Sequence, residues 1–193
     1  MSYTEIYKFD KNGDASFLGQ TENAWRGAMA IWRILERKYL APLSKPSWMD
    51  EADYIKRGYY RYQVPPPMDN NIPHPLQPVW DLFKDHRLFN DEKNVLGTTF
   101  DRVIVRRENI LEIIGSFYTF SERNKTNNVN LSLKEQAEII QHAITNDDDL
   151  IAIAWNQTSI GEAFWESYNI DENGENIPYN IFNDSEHQFL FKK

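Results

Sequence analysis

The chain has 193 residues, a net charge of −8 and no cysteine, which excludes disulfides, thiolate nucleophiles and Cys-ligated zinc or iron–sulfur centres. Six Trp, ten Tyr and eleven Phe mark a chain that folds, because disordered chains are poor in rings, and the length suits a single domain over 1–193. No stretch approaches the ~20 apolar residues of a membrane span and residues 1–9 lack a signal-peptide core, so no membrane association and a cytoplasmic location are expected.

Charge is unevenly placed along the chain. Residues 1–134 hold 17 acidic and 19 basic side chains, whereas 135–193 hold 12 acidic ones and only Lys192 and Lys193 as cations. The acidic portion, 135–191, would carry a strong negative potential if its carboxylates shared one face.

In chain order, residues 3–9 alternate, with Tyr3, Glu5, Tyr7 and Phe9 on one side and Thr4, Ile6 and Lys8 on the other, which predicts a strand. Asn12-Gly13 supplies the positive φ of a tight turn, and residues 15–19 form the return strand. A helix capped by Thr21 or Asn23 should then run to about Leu40, with Trp25, Ala28, Met29, Trp32, Leu35 and Tyr39 at helical spacing. That stripe reads as a core-facing helix, with a ligand cleft as the alternative.

Eight of the nine prolines fall within 41–78, so a long irregular excursion is expected there. It should hold one short helix near 50–57, no regular structure over 62–78, and tyrosines packed inward. Residues 79–83 suggest a short helix and 99–106 a strand with Val103 and Val105 opposite Arg102, Ile104 and Arg106. A second helix spans 108–120 and a polar loop 121–130. Ser132-Leu133-Lys134-Glu135 matches a capping box opening a helix to about Ile144. The apolar run 150–155 predicts a central strand, 171–176 a turn and 188–191 a last short strand. Strands and helices mix without regular βαβ alternation, so the expected class is α+β: a mixed or antiparallel sheet with an N-terminal hairpin, about three main helices and the proline-rich excursion.

Gly-rich phosphate loops, Gly-X-Ser-X-Gly and paired histidines at i, i+4 are all missing from the sequence, so no catalytic residue, metal or cofactor is assigned. His74, His86, His142 and His187 read as surface or core residues. Residues 10–14 and 171–175 have their glycine too early for an EF-hand loop and read as turns.

Three constellations remain as candidate sites. Trp155-Asn156-Gln157-Thr158-Ser159 places polar side chains at the end of the buried strand, where a small-enzyme or nucleotide site could form. Lys56, Arg57, Tyr59, Tyr60 and Arg61 interleave rings and cations, as RNA-binding surfaces do. Asp147, Asp148, Asp149, Glu162, Glu166, Asp171, Glu172 and Glu175 would form an acidic docking surface for a basic protein partner.

Asn23-Ala24-Trp25-Arg26-Gly27-Ala28-Met29 after the opening hairpin, Leu96-Gly97-Thr98-Thr99-Phe100-Asp101, and Trp155-Asn156-Gln157-Thr158-Ser159 resemble small proteins carried by bacterial prophages and other mobile elements. The resemblance implies a phage-type accessory protein in the cytoplasm of the bacterial host. It would act in the manner of an anti-CRISPR inhibitor, binding a bacterial defence protein through the acidic surface. It assigns no functional residue.

Overall fold

A computed structural model of the chain describes residues 3–22, 27–58, 60–124, 129–157, 164–166, 169–184 and 186–191. Strands β1 (Tyr3–Phe9) and β2 (Ala15–Glu22) form the opening hairpin, turned at Gly13 with φ 88°. Further along lie β3 (Val103–Arg106), β4 (Ala152–Gln157), β5 (Asn169–Ile170), β6 (Asn176–Ile177) and β7 (Gln188–Phe189). The main sheet runs β2-β1-β4-β3-β7, antiparallel except for the β3–β7 pair, so it is mixed; β5 and β6 form a separate small hairpin. The architecture is α+β.

The apolar run predicted as a central strand is β4, third of the five, and Ala152, Ile153, Ala154 and Trp155 are all buried. Side chains alternate across a strand, so β4 needs cover on both faces. Ile6, Val105, Ile153 and Trp155 face a helical layer built from α1 (Ala28–Tyr39), α4 (Asn90–Gly97), α5 (Ile110–Arg123) and α6 (Val129–Asn146). Tyr7, Phe9, Ile104, Ala152 and Ala154 face the opposite way, under Trp165, Tyr179 and Ile181. Trp165 meets Phe9 edge-on at 5.4 Å and Tyr179 at 4.9 Å. Trp165, Tyr179 and Ile181, all from the acidic C-terminal portion, thus supply the second layer of the core.

Several boundaries differ from the sequence expectation. β2 runs on through Thr21 and Glu22, and α1 starts at Ala28, because the Thr21 hydroxyl is buried 3.0 Å from Ser132 Oγ. Trp25, Asn23 and their neighbours lie outside the described residues. Ser132 does not cap α6, which has already begun at Val129; its hydroxyl accepts from Gln136 Nε2 at 3.2 Å. The predicted loop over 121–130 starts later, since α5 continues to Arg123.

Helix α4 went unpredicted because its buried residues include Asp91, Glu92 and Asn94, an atypical pattern for a core helix. Glu92 is held by Lys38 Nζ and Tyr39 Oη, each at 2.5 Å, and by the Phe89 backbone N–H at 3.2 Å. The strand predicted from Thr99 is shortened at its start. The Thr98 and Thr99 hydroxyls donate back to Val95 and Leu96 carbonyls at 2.8 and 2.6 Å, and Arg102 takes φ 58°.

In the proline-rich segment, α2 (Glu51–Arg57) is capped by Asp50 Oδ1, which accepts from the Ala52 N–H at 2.8 Å. A single 3₁₀ turn at Arg61–Gln63 follows, and α3 (Gln77–Asp81) opens with Pro78 in its first turn, where its missing N–H costs nothing. Among the described residues no helix is long and apolar enough to cross a membrane.

Candidate functional site: an aromatic cleft

The proline-rich segment arcs over one end of α1 and of the sheet, leaving a cleft of about 1180 Å³. That is generous for a small-molecule site, which commonly spans roughly 300–1,000 Å³. Its rings come from five places: Trp32 on α1, Tyr62 and His74 on the excursion, Trp80 and Phe83 at and after α3, Phe100 in the turn before β3, and Phe189 on β7. His74 stacks on Trp80 at 4.8 Å and 20°, and Trp32 meets Trp80 edge-on at 6.2 Å. The Trp32 indole N–H is fixed on Thr99 Oγ1 at 2.9 Å. The helical stripe therefore divides: Leu35 serves the core, Ala28 and Trp32 serve the core and also line the cleft, and Met29 lines the cleft.

Set among these rings are four glutamine side chains, Gln63, Gln77, Gln157 and Gln188. Gln157 reaches the cleft because it lies on the same side of β4 as Ile153 and Trp155, one residue pair further out. Its Oε1 accepts from the Thr4 hydroxyl at 2.9 Å, which orients the amide. Gln77 donates to Asp81 Oδ1 at 3.0 Å.

His74 has its Nδ1 engaged by the Leu76 backbone N–H at 3.1 Å, so the neutral ring carries its proton on Nε2. Burial lowers its pKa from the ordinary histidine range, and the ring stays neutral at neutral pH.

The three constellations read from the sequence are dispersed in the fold. Of the first, Gln157 lines the cleft. Trp155 does not: it is buried, with its indole donating to Gln136 Oε1 at 3.1 Å. Asn156 points to the opposite face and donates to Glu5 Oε2 at 2.9 Å. Thr158 and Ser159 lie outside the described residues.

The ring-and-cation segment also splits. Arg61 is buried in an ion pair with Glu36 at 2.9 Å, and its Nη1 further donates to the Ala41 carbonyl at 3.1 Å. It is a structural cation, unavailable to a nucleic-acid backbone. Lys56 and Arg57 are exposed, Arg57 lines the cleft, and Tyr60 stacks on Tyr62 at 5.7 Å. Tyr59 lies outside the described residues.

The acidic set is partly spent on contacts within the chain. Asp147 pairs with Lys8, and Asp149 with Lys11 at 2.5 Å; the Lys8 contact holds the Asp147 carboxyl below the usual range. Glu166 and Glu5 each lie 3.1 Å from the Tyr7 hydroxyl. Burial, with these two carboxylates, pushes the Tyr7 phenol well above its ordinary pKa. Asp171 accepts from the Asn173 and Glu175 backbone N–H groups, both at 2.8 Å, closing the β5–β6 turn. Asp148, Glu172 and Glu175 are exposed, and Glu162 lies outside the described residues. Among the described residues no cluster of three or more His, Asp or Glu could hold a metal ion.

The buried Glu36–Arg61 pair fixes the segment that carries Tyr60 and Tyr62 onto α1. Glu36→Ala would leave the Arg61 guanidinium uncompensated, at a cost of about 3–5 kcal/mol. Urea unfolding should show this as a large fall in midpoint; an unchanged midpoint would mean that the segment is held by other contacts.

The chain matches no protein-family model, no curated protein and no solved structure.

Proposed function

We propose that this is a binding protein whose cleft takes a small planar heterocycle of the nucleobase or nucleoside class. The observation that carries the reading is the combination of stacked rings with neutral amides: Trp32, Tyr62, His74 and Trp80 beside Gln63, Gln77, Gln157 and Gln188. Rings supply stacking surface, worth about 1–3 kcal/mol per base. Glutamine amides both donate and accept, which matches the mixed edge of a heterocycle. Binding is favoured over catalysis because His74 commits Nδ1 to the backbone and a ring face to Trp80. This reading draws Gln157 from the small-enzyme or nucleotide site expected at Trp155–Ser159, and Arg57 and Tyr62 from the ring-and-cation segment expected to contact RNA.

Calorimetry with adenosine tests it. Wild-type protein should bind, and Trp80→Ala should weaken binding by roughly tenfold or more, one ring of stacking energy. Ile55→Ala, at an exposed position away from the cleft, should leave it unchanged. Equal affinity for wild type and Trp80→Ala would refute the reading.

A second reading rests on Asp148, Glu172 and Glu175, exposed carboxylates without an ion-pair partner among the described residues. They support a phage-type accessory protein that inhibits a bacterial defence protein by docking on its basic face. Capture of such a partner from bacterial lysate should then fall as salt rises. It should also slow in Asp148→Asn/Glu172→Gln/Glu175→Gln. Capture indifferent to both changes would leave these carboxylates as solvating groups.

A further inference from the structure

The charge on the α1 face behind the cleft is unusual for so acidic a chain. Arg33 and Arg37, one turn apart on α1, converge on the Tyr60 ring, their guanidinium carbons 4.6 and 4.9 Å from its centroid. Arg37 donates to the Tyr60 hydroxyl through both Nη2 and Nε, the latter at 2.9 Å. Glu36, the carboxylate between them in sequence, is committed to Arg61. Among the described residues neither Arg33 nor Arg37 is ion-paired with an acid. The Nε–H of Arg33 is buried and has no acceptor, an arrangement that costs free energy unless something else satisfies it.

Two cations side by side repel one another, and a protein carrying a net charge of −8 has carboxylates to spare for pairing. Here none is used. The contact to Arg37, helped by Arg33, also holds the Tyr60 phenol below its ordinary pKa, so the local field is positive. The pair is one ring removed from the cleft: Tyr60 stacks on Tyr62, which lines it, as does the further cation Arg57.

We propose that Arg33 and Arg37, with the Tyr60 hydroxyl, form an oxyanion subsite one ring beyond the cleft, behind Tyr62, that receives a phosphate group of the bound ligand. Planar guanidinium forks match phosphate oxygens in pairs, and an anion here would neutralise the repelling cations. Taken with the cleft, on whose reading this assignment of the ligand rests, the subsite makes the ligand a nucleotide: ring against Trp80 and Tyr62, phosphate at Arg33 and Arg37.

The test compares three probes, adenosine, adenosine monophosphate and inorganic pyrophosphate, by calorimetry on wild type and on Arg33→Gln/Arg37→Gln. Wild type should bind the monophosphate at least about tenfold more tightly than adenosine. The double variant should lose that advantage while keeping the wild-type affinity for adenosine. Equal binding of adenosine and its monophosphate by wild type, or an advantage that survives in the double variant, overturns the subsite.

The pyrophosphate arm separates the two readings. Pyrophosphate bound by wild type and released by the double variant sustains the subsite even if adenosine fails to bind, and then it is the heterocycle reading that falls. No pyrophosphate binding by wild type overturns the subsite whatever adenosine does. Arg37 is exposed, so Arg37→Gln alone serves if the double variant does not fold.

Discussion

The structure depends on one constraint: strand β4 is buried on both faces and must be covered twice. Trp155 shows how the two covers are joined. Its indole lies on the helical side, 6.2 Å from the Phe117 ring, and donates to Gln136 on α6. Its backbone carbonyl accepts the indole N–H of Trp165 at 3.0 Å from the other layer. A single residue thus ties the helices, the sheet and the C-terminal aromatic cover together. Polar groups this deep are tolerated because they are paired; Thr21, Ser132 and Gln136 complete the network on the helical side.

The same constraint explains what becomes of the charge asymmetry. Pairing β4 beside β1 and covering the second face of the sheet bring the acidic portion against the more basic first part. Lys8 and Lys11 meet Asp147 and Asp149, and Arg102 meets Glu186. Arg107 donates to the carbonyls of Ile144, Asp147 and Leu150 at the end of α6, the negative end of its dipole. A chain that looks electrically two-faced in sequence is interleaved when folded, and only part of its negative charge is left for a partner.

Much of the frame is legible in the residues themselves. Alternation sorts Tyr7 and Phe9 from Ile6, and Ile104 from Val105, onto the faces they occupy. The buried run marks β4, and Asn12-Gly13 marks the first turn. Helix α4 is hidden because its buried side chains are carboxylates and amides satisfied by distant partners, which no local pattern reveals. The cleft is hidden for a related reason. Its walls are drawn from α1, the excursion, the turn before β3, and the ends of β4 and β7, and spacing along the chain does not show that Trp32, His74, Trp80 and Gln157 converge. Gln157 is legible because strand ends gather polar groups. Arg33 and Arg37 lie off the apolar stripe of α1, and only the return of Tyr60 over them reveals the cluster.

Indole groups stand in two kinds of place in this fold. Trp155 and Trp165 are locked inside the layered core, while Trp32 and Trp80 stand at the cleft. Indole N–H resonances in a proton–nitrogen correlation spectrum report on each separately. On addition of adenosine monophosphate, the Trp32 and Trp80 signals should shift in a saturable manner while those of Trp155 and Trp165 stay in place. Saturable shifts confined to other tryptophans, or no shift at any of them, would contradict the assignment of the cleft as the binding site.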